Sequence, residues 1–199
     1  TTSFMPGLLP LMILLITVYS ITMEIKNGTS VRWLNTAGGS ILRAMAGKLL
    51  PQTLVWSLVG LAMLGMLFGF YHFPIYCSPW IMALAMVLMV IASQALGVLI
   101  ASALPNPRLA LSIASLTGIL TFSIAAFSYP VASMYGSIGI FSYILPVRYY
   151  FLIYVKQALD GVPLYYSRYF FAALIAFPLV CSCLLGRLKK ACQHPVYVP

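Results

Sequence analysis

Hydrophobic side chains dominate five long stretches of this chain, 6–23, 49–70, 80–104, 110–129 and 169–186, and none of them contains a charged residue. At about 1.5 Å of rise per residue, each is long enough to carry a helix across roughly 30 Å of hydrocarbon. The pattern predicts an all-α membrane protein, a polytopic helical bundle with five transmembrane helices in one domain, 1–199. Every charged residue falls between or beyond the five runs.

Two of the intervening segments have structure of their own. In 24–48 the stretch "SVRWLNT" reads as a short helix that Thr29 can cap, and Gly38 and Gly39 separate it from a second short helix, "SILRAMAGK". A helix this short and mixed, with Trp33 and Leu34 beside Arg32, lies at the membrane surface or against another protein. Lys48 and Pro51 mark the start of the second crossing, because proline is tolerated in a first helical turn. In 130–168, "SYILPVRYYFLIYVKQALDG" is apolar but interrupted by Pro146, Arg148 and Lys156, so it cannot cross. It is expected to form an outer re-entrant pair of short helices, opening near Pro130, split near Pro146 and closed at Gly161, with Arg148 in the gate they make. The link "LPNPRL" between the third and fourth runs is a tight turn.

Composition sharpens this picture. The chain is 62% hydrophobic and 7% charged, too few charges to solvate a globular surface. Of its eleven Lys and Arg, eight (Lys26, Arg32, Arg43, Lys48, Arg108, Arg187, Lys189, Lys190) lie in one alternating set of loops. The other set holds Arg148, Lys156 and Arg168. Cations prefer the cytoplasmic side, so the 24–48 loop and the C-terminus are expected inside and residue 1 outside. The opening "TTSFMPG" lacks an initiator Met, and a fragment without its first crossing is expected. The net charge of +9 sits at membrane borders, which argues against nucleic acid as a partner. Catalysis has little to work with. Glu24 and Asp160 fall on opposite sides in this topology, "AGK" at 46–48 lacks the rest of a phosphate loop, and the four cysteines show no metal-ligand spacing. Without an acid inside a span, a proton-coupled carrier is disfavoured.

Within the spans, Gly65 and Gly69, and Ser93 and Gly97, have the small-residue spacing that lets helices approach closely, inside one chain or between two. Gln94 needs a partner in mid-span, and an interhelical hydrogen bond is the expected one. The fourth run carries Ser112, Ser115 and Ser123 on one face and Thr117, Thr121 and Ser128 on the other. One face lines a path, or the hydroxyls bond their own helix carbonyls.

Four stretches taken in order, "MPGLLPLMILLITVYSITMEIKNGT", "GKLLP", "FSYPVASM" and "LPVRYYFLIYVKQALDG", resemble the permease subunits of type 2 ATP-binding-cassette exporters, of the kind with a large extracytoplasmic domain after the first crossing. The resemblance spans most of residues 5–186. It aligns Pro6 and Gly7 with an outer Pro-Gly, Glu24, Gly28 and Thr29 with an acid followed by Gly-Thr, and Gly47 and Lys48 with a Gly-Lys. Lys26 replaces a second acid of the family, and residues 37–39 replace a mid-loop proline. It implies a six-crossing half-transporter in a bacterial inner membrane, of which this chain holds the last five. ATP and Mg are then bound by a separate subunit, with none in this chain, and a second permease copy or paralogue and a periplasmic adaptor complete the assembly. On this basis 24–48 is the coupling loop. Glu24 anchors its bend, Gly28 and Thr29 start its helix, Arg32, Trp33 and Leu34 meet the ATP-binding subunit, and Gly47 and Lys48 close it. Tyr19, Ser20, Ser112, Ser115, Phe122 and Ser123 are candidates for a substrate path suited to a hydrophobic or amphipathic cargo, drug-like or lipid. A non-transporting scaffold for an extracellular assembly and an ion-coupled secondary carrier are the competing readings.

Overall fold

The apolar runs become the long helices. In a computed structural model, which describes residues 4–70, 77–104, 106–124, 142–159, 161 and 164–193, helix α1 is Phe4–Lys26, α2 Ser30–Thr36, α3 Ile41–Gly65, α4 Pro79–Ala103, α5 Pro107–Ile124, α6 Pro146–Ile153 and α7 Leu164–Gln193. Three apolar segments, Gly7–Lys26, Ile41–Phe70 and Pro79–Ala103, are long enough to cross a membrane. Prolines sit where a missing N–H costs least, at the first residue of α4, α5 and α6.

Helix α4 forms the centre. It packs against α1, α3, α5, α6 and α7, and most of its side chains from Met82 to Ser102 are buried. Glycines set the closest approaches. Gly97 of α4 faces Thr17 of α1, Gly60 of α3 faces Met86 of α4, and Gly118 of α5 faces Leu11 of α1. The Ser93 and Gly97 pair therefore serves packing within the chain. Gly65 and Gly69 do not, since a Cβ at either would meet nothing within 4 Å; the packing glycine of α3 is Gly60.

Two sequence expectations change here. The first helix does not stop with its apolar run at residue 23 but continues through Glu24 to Lys26. "SILRAMAGK" is not a separate short helix but the first turns of α3, which passes through Pro51 without a break. Proline removes one helical hydrogen bond. The next two residues make side-chain bonds across helices: Gln52 Nε2 donates to Thr17 Oγ1 at 2.8 Å, and Thr53 Oγ1 stands 2.7 Å from Gln94 Oε1. Gln94 thus has the interhelical bond expected of it.

Helix α6 and the π-helical turn after it, Tyr154–Leu159, run antiparallel to α7. Tyr149 lies edge-on to Phe177 at 6.1 Å, Lys156 sits 4.9 Å above the Phe170 ring, and Gln157 Nε2 donates to Ser167 Oγ at 2.9 Å. The chain turns between them at Gly161, with φ of +61°, a conformation glycine adopts freely. Eight residues and a six-residue π turn reach about 20 Å at 1.5 Å per residue, less than the roughly 30 Å of a hydrocarbon core. At the buried start of this segment, Arg148 is 6% exposed, bonded to Ser142 and 3.9 Å above the Tyr143 ring. A guanidinium so buried is tolerated because protein groups replace its water. Pro130 lies outside the described residues, as do both histidines, and the side chain of Cys192, on α7, is not among those described.

A candidate coupling site

Helix α1 ends in a glycine cap. Gly28 has φ of +68°; its N–H donates to Ile25 O at 3.3 Å and the Thr29 N–H to Glu24 O at 3.1 Å. Helix α2 ends the same way, with Gly38 at φ of +69°, its N–H on Asn35 O and the Gly39 N–H on Leu34 O, both at 3.0 Å. These paired bonds satisfy helix-end carbonyls and reverse the chain sharply each time. The outcome is a short helix set between α1 and α3 in the chain and packed against both and against α7. Gly28→Ala is expected to cost about 1–2 kcal/mol, although no atom stands in the way, because an L side chain is disfavoured at that φ. In Gly47→Ala, a helical position with equally open space, the thermal midpoint is expected to hold or rise by the equivalent of about 0.5–1 kcal/mol.

Glu24 is the hub. Lys48 Nζ donates to its Oε1 at 2.7 Å, and the Thr29 hydroxyl donates to the same carboxylate. The Lys48 bond, followed by that of Thr29, holds the Glu24 carboxyl below its ordinary pKa, against a smaller opposing effect of burial. Thr29 occupies the N-cap of α2, but its side chain does not cap the helix; the hydroxyl is turned back to Glu24. Lys48 also lies 5.2 Å from the centre of the Trp33 ring. The ends of α1, α2 and α3 are therefore joined through a single ammonium group. An open hollow of about 470 Å³ beside it is lined by Glu24, Trp33, Thr36, Arg43, Gly47 and Lys48.

The structure gathers Glu24, Thr29, Trp33, Gly47 and Lys48, and divides the remaining coupling residues between two faces. Leu34 is 4% exposed, packed with Ile21, Ile25, Ile41, Met45 and Cys181, and Ser30 is also buried. The expectation that Leu34 meets a partner is therefore corrected: burying this leucine is what seats α2 on the bundle. Trp33 is half-buried over Lys48. Arg32 does face outward, with Val31, Asn35 and Thr36. Seven residues are too few for periodicity to say which side is buried.

The path candidates are scattered. Tyr19 is exposed and Ser20 half-buried on α1, while Ser112 is exposed and Ser115 half-buried on α5. The side chains of Phe122 and Ser123 lie outside those described. Ser112 donates to Arg108 O, Ser115 to Ser112 O, Thr117 to Ile113 O and Thr121 to Thr117 O, at 2.6–2.9 Å. The hydroxyls of α5 thus bond their own helix. Gln52, Thr53 and Thr17 went unnoticed in the sequence, although polar residues inside apolar runs were the signal.

The family model described as ABC-2 family transporter protein matches residues 1–187. No curated protein and no solved structure matches the chain significantly. A multi-pass helical bundle, with a short helix seated between two of its long ones and a family match along nearly its whole length, leads to one assignment. The chain belongs to the ABC-2 transporter family, as a membrane-embedded permease component.

Proposed function

We propose that the chain is the membrane-spanning part of an ATP-driven exporter and that α2 is the element through which a separate ATP-binding subunit moves it. The observation that carries this reading is the Glu24–Lys48–Trp33 cluster, which ties α2 to the ends of α1 and α3 while Val31, Arg32 and Asn35 face away. A push on the outer face of α2 is passed to two long helices at once. For nucleotide to drive a change of access, the partner must bind the two membrane states with different affinity, and α2 is the contact through which that difference acts.

In this reading α1, α3, α4, α5 and α7 are five crossings, α2 and the C-terminus are cytoplasmic, and the start of the chain is outside, in a bacterial inner membrane. ATP and Mg are held by the partner. A second copy or a paralogue completes the pathway along the exposed apolar stripes of α1 and α5, Leu8, Met12, Ile16 and Tyr19 beside Leu109, Ile113, Leu116 and Leu120. The α6–α7 hairpin, with Arg148 at its base, forms the outer gate, and the cargo is hydrophobic or amphipathic.

The test separates the two faces of α2. Arg32→Glu is expected to leave the thermal midpoint within error, as substitutions at exposed sites usually do, while lowering retention of the ATP-binding subunit on purification by about tenfold. Leu34→Ala is expected to destabilise the chain by about 2–5 kcal/mol. Full retention and full export with Arg32→Glu would refute the docking role.

A further inference from the structure

Between α3, α4 and α7, on the same end of the bundle as α2, lies a cavity of about 370 Å³. Its walls are apolar, with Leu42, Met45, Leu49, Ile91, Val98 and Cys181 among them, and its two polar residues are Thr53 and Gln94. That volume is within the range of small-molecule sites. It is separate from the α2 cluster and from the exposed stripes of α1 and α5.

Gln94 is 3% exposed. The Thr53 hydroxyl stands 2.7 Å from both Leu49 O and Gln94 Oε1, but it has one proton and serves one acceptor at a time. If Thr53 donates to Gln94, the amide nitrogen has no partner among the described residues. If the carboxamide is turned so that its nitrogen donates to Thr53, the hydroxyl serves Leu49 and the amide oxygen takes the empty place. In either orientation one end of Gln94 pairs with Thr53 and the other is unmatched, a costly state for a buried amide.

We propose that this cavity binds an amphipathic small molecule, an apolar body carrying a hydrogen-bonding group that pairs with the unmatched end of Gln94. The depth of Gln94 selects against an ordinary lipid chain. It lies nine residues, about 14 Å, from the end of α4 at Ala103. A phospholipid keeps its polar atoms at the membrane surface and offers only methylenes that far in, whereas a molecule with a hydroxyl or carbonyl within its apolar body offers a partner. The site does not rest on the coupling role of α2, because binding is measured without nucleotide.

The protein in lipid nanodiscs is irradiated with 4-hydroxybenzophenone, and the labelled peptides are mapped by mass spectrometry. Saturable labelling is expected on the segments containing Met45, Leu49 and Ile91. Benzhydrol, which has a hydroxyl, is expected to displace the probe at about tenfold lower concentration than diphenylmethane, which has none. Gln94→Leu is expected to bring the two competitors level. Ala46→Trp, which fills the cavity from its exposed rim and leaves the Thr53–Gln94 pair alone, is expected to lower labelling about tenfold and keeps the test valid should Gln94→Leu not fold. Labelling that does not saturate, labelling unchanged in Ala46→Trp, equal displacement by both competitors in the unmodified protein, or displacement by palmitate as effective as by benzhydrol would each overturn the proposal. The last result would mark a lipid groove.

Discussion

Gly97→Leu is expected to lower the thermal midpoint of the detergent-solubilised protein by about 5–10 °C, the equivalent of roughly 2–3 kcal/mol for a chain of this size. The reason is local. A Cβ at residue 97 would sit 3.0 Å from both Cβ and Cγ2 of Thr17 and 3.4 Å from the carbonyl oxygen of Leu14, so the new atom meets backbone as well as side chain. Thr17 cannot simply rotate away, because its hydroxyl accepts the hydrogen bond from Gln52 that ties α3 to α1. Leucine adds three further carbons at a point where α1 and α4 already touch. Relief requires the two helices to separate, which loosens the Leu14, Val18, Leu96 and Ile100 cluster around them. Gly65→Leu is the control: that position is exposed, and a Cβ there would meet nothing within 4 Å, so its midpoint is expected to stay within error. Equal melting of the two variants would show that the approach at Gly97 does not hold the bundle together.

The same contrast shows what the sequence could reveal. Spacing alone marked Gly65 and Gly69 and Ser93 and Gly97 as equivalent pairs, yet only the second pair is buried against neighbouring helices. Which side of an apolar helix turns inward is decided by its neighbours, and a nearly uniform helix such as α3 gives no periodic hint of it. The bounds of α2 were legible to the residue, from Thr29 before it and the Gly38–Gly39 pair after it, although the Thr29 side chain turns to Glu24 instead of capping the helix. Its orientation was not, and Leu34 turned inward. The continuity of α3 through Pro51 was also hidden, since the sequence reading placed this proline in a first helical turn and the helix carries it well past that turn. Gln94 was the reverse case: a lone amide among apolar residues demands a partner in any membrane fold, and Thr53 supplies it. At the cluster of Glu24, Gly47 and Lys48, resemblance to a family named the residues, and the structure added why they belong together: one ammonium group reaches a carboxylate and an indole from the third helix.

That ammonium sets the second large expected effect. Glu24→Lys and Lys48→Glu are each expected to reduce ATP-driven efflux of an amphipathic dye by at least about tenfold, and the double exchange to recover it to within about threefold. The effect on stability should be small by comparison. Both side chains are partly exposed, and such a pair contributes only about 0–1 kcal/mol to folding. What the single changes remove is a link: two like charges replace the contact that makes the ends of α1 and α3 move as one with α2. The exchange restores opposite charges across the same gap, so motion can again be passed on. It cannot restore everything, because Thr29 donates to the carboxylate at residue 24 and would face an ammonium there, and because Trp33 would lose the cation above its ring. Retention of the ATP-binding subunit is expected to be the same in all three variants, since Val31, Arg32 and Asn35 are untouched. A double exchange as inactive as the single changes, with the partner still bound, would show that the pair does not transmit the motion and that α2 acts on the bundle through the buried contacts of Leu34 alone.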